Sequence, residues 1–263
     1  MTVNEYLENY YNNYNEDERL LSRRGQVEFL TTMRFIDQYL NKGMRILDIG
    51  AGTGRYSRAI AAKGAKVDAI ELIQHNIDVF KANTTLSDNI SIRQGNVLDL
   101  SYIADDNYDI TLVLGPMYHL YTKKDKLKAL TEAIRVTKPN GLIYISYCIT
   151  DASIIDFGFI QGNIFHLIEK NMLDTETFIA HSDPEDIFEL VRKEDIDDLM
   201  FGFNTERLHY VATDGFTRHM KETIADMEDK TFEVYLNYHY AICEKEDMVG
   251  ITHHSLDIVR KGL

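Results

Sequence analysis

The stretch 46–57, ILDIGAGTGRYS, constrains the fold of this chain more than any other. An apolar run of strand type ends at Asp48 and Ile49, glycines stand at 50, 52 and 54, and a helical pattern opens at Arg55. Glycines at this spacing let a backbone turn sharply and come close to a ligand, because no Cβ intervenes. The helix that follows presents unpaired N–H groups in its first turn. The same strand-to-helix step then repeats. MRILDI (44–49), KVDAIEL (66–72), ISIRQGNV (90–97), YDITLVLG (108–115) and GLIYISYC (141–148) read as strands. RYSRAIAAKG, HNIDVFKANT and KKDKLKALTEAIRVT read as helices between them. That alternation predicts βαβ units, a parallel sheet and helices on both of its faces.

The flanks read differently. Tyr6, Tyr10 and Tyr14 recur every fourth position, and Val27, Leu30, Met33, Ile36 and Leu40 form an apolar stripe, so residues 1–42 are expected to be helical. After the fifth strand, 151–200 reads as helix and loop with no clear strand. RLHYVAT (207–213) and SLDIVRK (255–261) are predicted as late strands, with a helical period over 218–248 between them. The turn KPNG is expected to stop the preceding helix at Pro139 and to turn on Gly141.

Charge narrows the function. The chain carries a net charge of −14, and between Asp151 and Asp198 thirteen acids face three bases. A phosphate-tracking surface needs lysine and arginine, so a nucleic-acid partner is not expected. The acids have two readings: a solvated outer face, or a field that draws a basic acceptor. Two cysteines, Cys148 and Cys243, lie far apart, which suits neither a disulfide framework nor a zinc site. No apolar run approaches the ~20 residues of a membrane span, and the polar start MTVNEYLENYY is not a signal peptide. A soluble, cytoplasmic protein is expected.

The glycine loop itself separates ligand classes. A dinucleotide fingerprint needs its third glycine at position 55, where Arg55 stands, and a phosphate loop needs Gly-Lys-Ser/Thr, which is missing. Asp48 just before the loop suits a ligand bearing a free amino group rather than a pyrophosphate. Glu71, at the end of the second strand, has the reach and the acceptors for a ribose diol, a device shared with nucleotide-binding proteins generally. Taken alone it also has the reading of a helix N-terminal acid.

With D-x-G-x-G-x-G at 48–54, ILDIGAGTG resembles the first motif of the class I S-adenosylmethionine-dependent methyltransferases. LVLGPMYHL (112–120) resembles the G-P-[LM]-Y-H-L stretch of bacterial small-molecule members, and KPNGLIYISY (138–147) the turn and fifth strand. The resemblance implies a Rossmann-like, doubly wound, seven-stranded, mostly parallel α/β sheet with an antiparallel last strand, plus a helical cap insertion. It implies S-adenosyl-L-methionine as cofactor and a small-molecule methyl acceptor. Asp48, Gly50, Ala51, Gly52 and Gly54 would wrap the amino-acid end, and Glu71 and Leu72 the ribose. Asn96 and Val97 would take the adenine, with Asn96 standing where the family has an acid; Asp99 reads as the cap of the next turn. Leu114 and Gly115 would border the methyl.

Catalytic candidates are His119 and Tyr118. His119 is either a base that orients the acceptor or a bonded structural histidine, and Tyr118 either stacks near the cofactor or packs. The expected organisation is an N-terminal helical lid (1–42), a cofactor-binding core (43–150), an acidic cap (151–200) and a C-terminal completion of the sheet (201–263). One tyrosine of the lid, Tyr10 or Tyr14, is expected over the cofactor, with Arg19, Arg23 or Arg24 on its carboxylate; an ordinary packed helix is the alternative. The cap's apolar set, Ile154, Ile155, Phe157, Phe159, Ile160, Phe165, Leu167, Ile168 and Phe178, is expected to line a greasy acceptor pocket. A nucleotide-dependent oxidoreductase and a non-catalytic S-adenosylmethionine-binding protein remain as other functions, because fold alone does not fix activity.

Overall fold

The computed structural model describes residues 1–14, 19, 21–85 and 88–263. Part of the 1–42 helical expectation, at 15–18 and 20, lies outside the described residues.

Eight strands form one sheet: β1 (Arg45–Ile49), β2 (Lys66–Glu71), β3 (Ile90–Gln94), β4 (Tyr108–Val113), β5 (Thr137–Ile149), β6 (Leu190–Val191), β7 (Thr205–Ala212) and β8 (His254–Lys261). Their order is β3-β2-β1-β4-β5-β8-β7, with β6 added beside the end of β5. The first five are mutually parallel, and β8 runs antiparallel between β5 and β7. The seven-stranded expectation therefore holds along the main path. The two-residue β6 is an eighth strand, found in a segment expected to have none. Two residues carry too little periodicity to be seen in sequence.

Side chains alternate across the strands and bury two cores. Leu47, Val113, Ile143 and Ile145 face the helix Lys123–Val136 through Ala129, Leu130 and Ala133. Ile46, Val67, Ile110, Leu112 and Tyr144 face the helix Arg23–Asp37 through Met33, Phe35 and Ile36. Both faces of the sheet are thus covered, which is what near-continuous apolar strands require.

The KPNG turn differs from expectation. The helix ends at Val136 and β5 starts at once, with a bulge against β4. Asn140, φ 63°, takes the left-handed position. Gly141 is needed for a different reason: a Cβ there would lie 2.7–2.9 Å from Thr137 and from the carbonyls of Lys138 and Asp109.

The 151–200 segment also departs from its reading. Its large apolar side chains Ile155, Phe157, Phe159, Ile160, Phe165 and Phe178 are exposed, and none of them lines either of the two cavities described below. Several of its acids are tied down: Asp151 to Arg192, Asp156 to Arg218, Glu189 to Lys126, and Asp197 to Lys193 and Arg207. A greasy inner face was inferred from composition, which says nothing about direction. Among the described residues, no helix is long and apolar enough to cross a membrane.

Candidate active site

A cleft of about 550 Å³ opens at the carboxyl ends of β1, β2 and β4. Every residue of the strand-end motifs singled out for the cofactor lines it except Gly54; of the N-terminal candidates Tyr10, Tyr14, Arg19, Arg23 and Arg24, Arg19 alone does. Gly54 caps the helix Arg55–Ala61 at φ 85°, and a Cβ there would sit 2.4 Å from the Phe80 ring. Its glycine is demanded by packing. Gly50 is similar, since a Cβ would meet Pro116 at 2.8 Å. Gly52, φ 55°, is different: nothing stands within 4 Å of where its Cβ would be. It is the loop glycine that leaves open space.

The acids at the strand ends are buried. Asp48 Oδ2 accepts from Ser57 Oγ at 2.6 Å. Burial pushes its pKa up to about 6, the Ser57 bond opposes this, and nearby Glu71 adds to it. Glu71 is also raised, chiefly by burial, although its carboxylate accepts from the N–H groups of Ile73 and Gly52. Those bonds are 2.9 and 2.8 Å, with Asn76 Nδ2 at 3.4 Å. Glu71 therefore fixes the glycine loop as well as facing the cleft. Asn76 lines the same cleft, and its buried Oδ1 has no hydrogen-bond partner among the described residues. Asn96 Oδ1 accepts from Leu98 N at 2.9 Å, and Asp99 caps Ser101 as expected.

The N-terminal helix Val3–Asn13 crosses the cleft with Val3, Asn4, Leu7 and Tyr11. The fourfold spacing was read correctly but on the wrong stripe. Tyr10 and Tyr14 face elsewhere, stacked on each other at 5.0 Å, and Tyr14 lies past the helix end. Val3, Leu7 and Tyr11 keep the same spacing, and that was the available signal.

Tyr11 Oη lies 2.8 Å from His119 Nε2, and His119 Nδ1 lies 2.9 Å from the carbonyl of Ile187. A carbonyl only accepts, so Nδ1 carries the proton, and Nε2 accepts from the Tyr11 phenol. Burial lowers the His119 pKa to about 4, only partly offset by the Ile187 bond. The imidazole is neutral at pH 7. Ile187 is a β-branched residue at φ 69°, and its carbonyl also accepts from Tyr121 Oη at 2.6 Å. Such a backbone costs roughly 1–3 kcal/mol and persists where surrounding contacts fix it. Sequence offered no sign of it. Tyr118 donates to the carbonyl of Leu114 at 2.9 Å, and its ring stands beside His119.

A second cavity, about 250 Å³, lies behind this wall and shares Tyr11, Arg19, Glu28 and Tyr118 with the cleft. Here Arg19 pairs with Glu28 at 2.6 Å, and His254 Nδ1 meets Asp214 Oδ2 at 2.9 Å. Burial alone would raise both acids. Arg19 and His254 hold Glu28 below its usual range, and His254 holds Asp214 well below. Burial opposes a charge on His254, but Glu28 and Asp214 help to raise it well above the usual imidazole value. His253 is pushed the other way, by burial and by the His254 charge. Glu28, Asp214 and His254 bring one ligand-type atom each within 4.8 Å of one another, as do Cys148, His253 and His254. Arg23, expected at the cofactor, pairs instead with Asp229 and lies over the Phe232 ring.

Residues 46–141 match a family model described as a methyltransferase domain. That stretch, from β1 to β5, is similar to S-adenosylmethionine-dependent methyltransferases. The chain is 36% identical over 104 residues to a demethylmenaquinone methyltransferase of Clavibacter sepedonicus, covering 39% of this chain and 40% of that one. It is 28% identical over 165 residues to a ubiquinone biosynthesis O-methyltransferase of Rickettsia akari, covering 61% of each. The matches thus span under two thirds of these curated relatives. Among solved structures, a possible histamine N-methyltransferase of Thermotoga maritima superposes with a TM-score of 0.60 at 16% identity, over 99% of this chain and all of that one. A Haemonchus contortus phosphoethanolamine N-methyltransferase holding phosphoethanolamine and S-adenosylhomocysteine gives 0.61 at 13% identity, over 99% of this chain and 48% of that one. At such identity these neighbours speak to the fold.

The cofactor of the family matched over 46–141 is S-adenosylmethionine, and the cleft fits it. Gly52 leaves a cradle, the unpartnered Asn76 Oδ1 calls for a donor, and a buried carboxylate stands at the end of each of two adjacent strands.

Proposed function

We propose that this chain transfers the methyl group of S-adenosylmethionine to a small-molecule acceptor. The observation that carries this reading is the pair of buried acids, Asp48 and Glu71, at the mouth of a cleft that a tyrosine-bearing helix crosses. Asp48 receives the cofactor's ammonium and Arg19 its carboxylate. Glu71 holds the ribose, Leu72 flanks it, and Asn96 and Val97 meet the adenine. The bound cofactor supplies an already electrophilic methyl group, so the protein's work is alignment and exclusion of water. Leu114, Gly115 and Tyr118 border the place where the methyl would lie.

His119 is a weak base in this setting, and both of its nitrogens are engaged. It acts by holding Tyr11, and with it the helix Val3–Asn13 as a lid. Two relatives named for quinone methylation support a small-molecule acceptor. Calorimetry with S-adenosylhomocysteine, then a methyl-transfer screen over small amines, phenols and thiols, tests the reading. Failure to bind the cofactor would overturn it. Tight cofactor binding with no turnover on any acceptor would favour a non-catalytic role.

A further inference from the structure

We propose that the 250 Å³ cavity is the acceptor pocket and that it takes a small molecule bearing a carboxylate or phosphate, gripped by Arg24. The proposal rests on the methyl-transfer reading above. The cavity adjoins the cleft through Tyr11, Arg19, Glu28 and Tyr118, the wall beside the expected methyl position. It is polar, and the large apolar side chains of the 151–200 segment are turned outward.

The pairing of charges decides the sign of the guest. Arg19 is matched by Glu28, His254 by Asp214, and Arg218 by Asp156 at 2.7 Å. The acids that could hold a cationic amine or a metal ion are therefore already neutralised. Arg24 also lines the cavity, and no ion pair or hydrogen bond engages it among the described residues. It stands in the first turn of the fifteen-residue helix Arg23–Asp37, and Gly25 of that turn lines the cavity too. A helix N-terminus favours an anion, and a guanidinium fork matches carboxylate or phosphate oxygens in two parallel bonds. The surplus charge is positive, so the guest is an anion. A long apolar chain would have to desolvate these guanidinium groups without return.

The test uses the full chain with S-adenosylhomocysteine bound. Inorganic phosphate, malonate and the neutral control malonamide are titrated calorimetrically into wild type, Arg24→Lys and Arg24→Gln. Phosphate or malonate should bind wild type and malonamide should not; the tighter of the two anions identifies the group. Arg24→Gln should weaken that binding by about tenfold or more, Arg24→Lys by less, as a lost charge-assisted bidentate contact implies. Cofactor-product affinity should stay within about twofold in both variants. No anion binding to wild type, equal binding of malonamide, or undiminished binding in Arg24→Gln overturns the proposal. A fall in S-adenosylhomocysteine affinity in Arg24→Gln also overturns it, because Arg24 would then serve the cofactor. If wild type fails to bind S-adenosylhomocysteine at all, the methyl-transfer reading is what fails, and the anion titrations on the free protein still decide Arg24.

Discussion

The cleft takes its polar groups from neighbouring strand ends: Asp48 on β1, Glu71 on β2 and Asn96 just past β3. The chamber behind it takes Arg24 from an N-terminal helix, Asp214 and Arg218 from beyond β7, and His253 and His254 from the start of β8. In the cleft, two like charges are desolvated together and their pKa values rise. In the chamber, acids sit against bases, and Glu28 and Asp214 fall while His254 rises. Neither Asp48 nor Glu71 is held down by a cation, although Arg19 and Arg55 line the same cleft. The chamber is nearly balanced, with one cation left over. On the proposed reading, a shared wall separates a place for an ammonium from a place for an anion.

Glu71→Ala gives the largest expected effect. It removes the ribose acceptor and the anchor of Gly52 N and Ile73 N. At about 1.5–3 kcal/mol per bond to a charged group, S-adenosylhomocysteine affinity should fall about a hundredfold. Phosphate binding in the chamber should hold, and an equal loss there would break the distinction between the two regions.

Gly54→Ala should act on the cleft through packing alone. A Cβ in the Phe80 ring at positive φ should cost about 2–4 kcal/mol and lower Tm by roughly 5–10 °C. A thermal melt near the wild-type value would refute the packing role.

Acid should weaken the cleft and spare the chamber. The cofactor's ammonium favours ionised Asp48, and free Asp48 titrates near 6. Affinity for S-adenosylhomocysteine should therefore fall toward tenfold per pH unit below about 6, with a proton released on binding. The linked stability term has the opposite sense. Because the folded pKa is raised, protonated Asp48 favours the folded free protein, and that stability is lost as pH rises from about 4 through 6. Asp48→Asn should flatten both profiles. A binding curve that stays flat down to pH 5 would remove Asp48 from the ammonium site.

The smallest effect concerns the shared wall. Tyr11→Phe loses one neutral hydrogen bond, about 0.5–1.5 kcal/mol, so S-adenosylhomocysteine should bind roughly two- to tenfold more weakly. Unchanged affinity would mean that the helix does not cover the cofactor.

How legible each region was in sequence follows from the same contrast. Asp48, Gly52, Glu71 and Asn96 are local to strand–loop–helix steps, and periodicity alone places them at one edge of a parallel sheet. The chamber is made by chain reversal: Glu28, Asp214 and His254 meet only because the helix Arg23–Asp37 and β8 return to the ends of the parallel strands. No spacing in the sequence records that. Exposure misled in the same way. Phe157 and Phe165 were apolar and so were assigned inward, while the short Leu190–Val191 pairing went unseen. Tyr11 was hidden by stronger neighbours, since Tyr6, Tyr10 and Tyr14 form the more conspicuous row.

The bond between Tyr11 and His119 joins a phenol to a neutral imidazole, so the latch of the proposed lid carries no charge on its histidine side. Swinging the helix away breaks the bond without moving a charge across a dielectric boundary. With the imidazole uncharged above about pH 5, a change of acidity from there to neutrality leaves the histidine side of the latch as it is. On the proposed reading, ligand capture behind the helix is set by charge, and this latch is not.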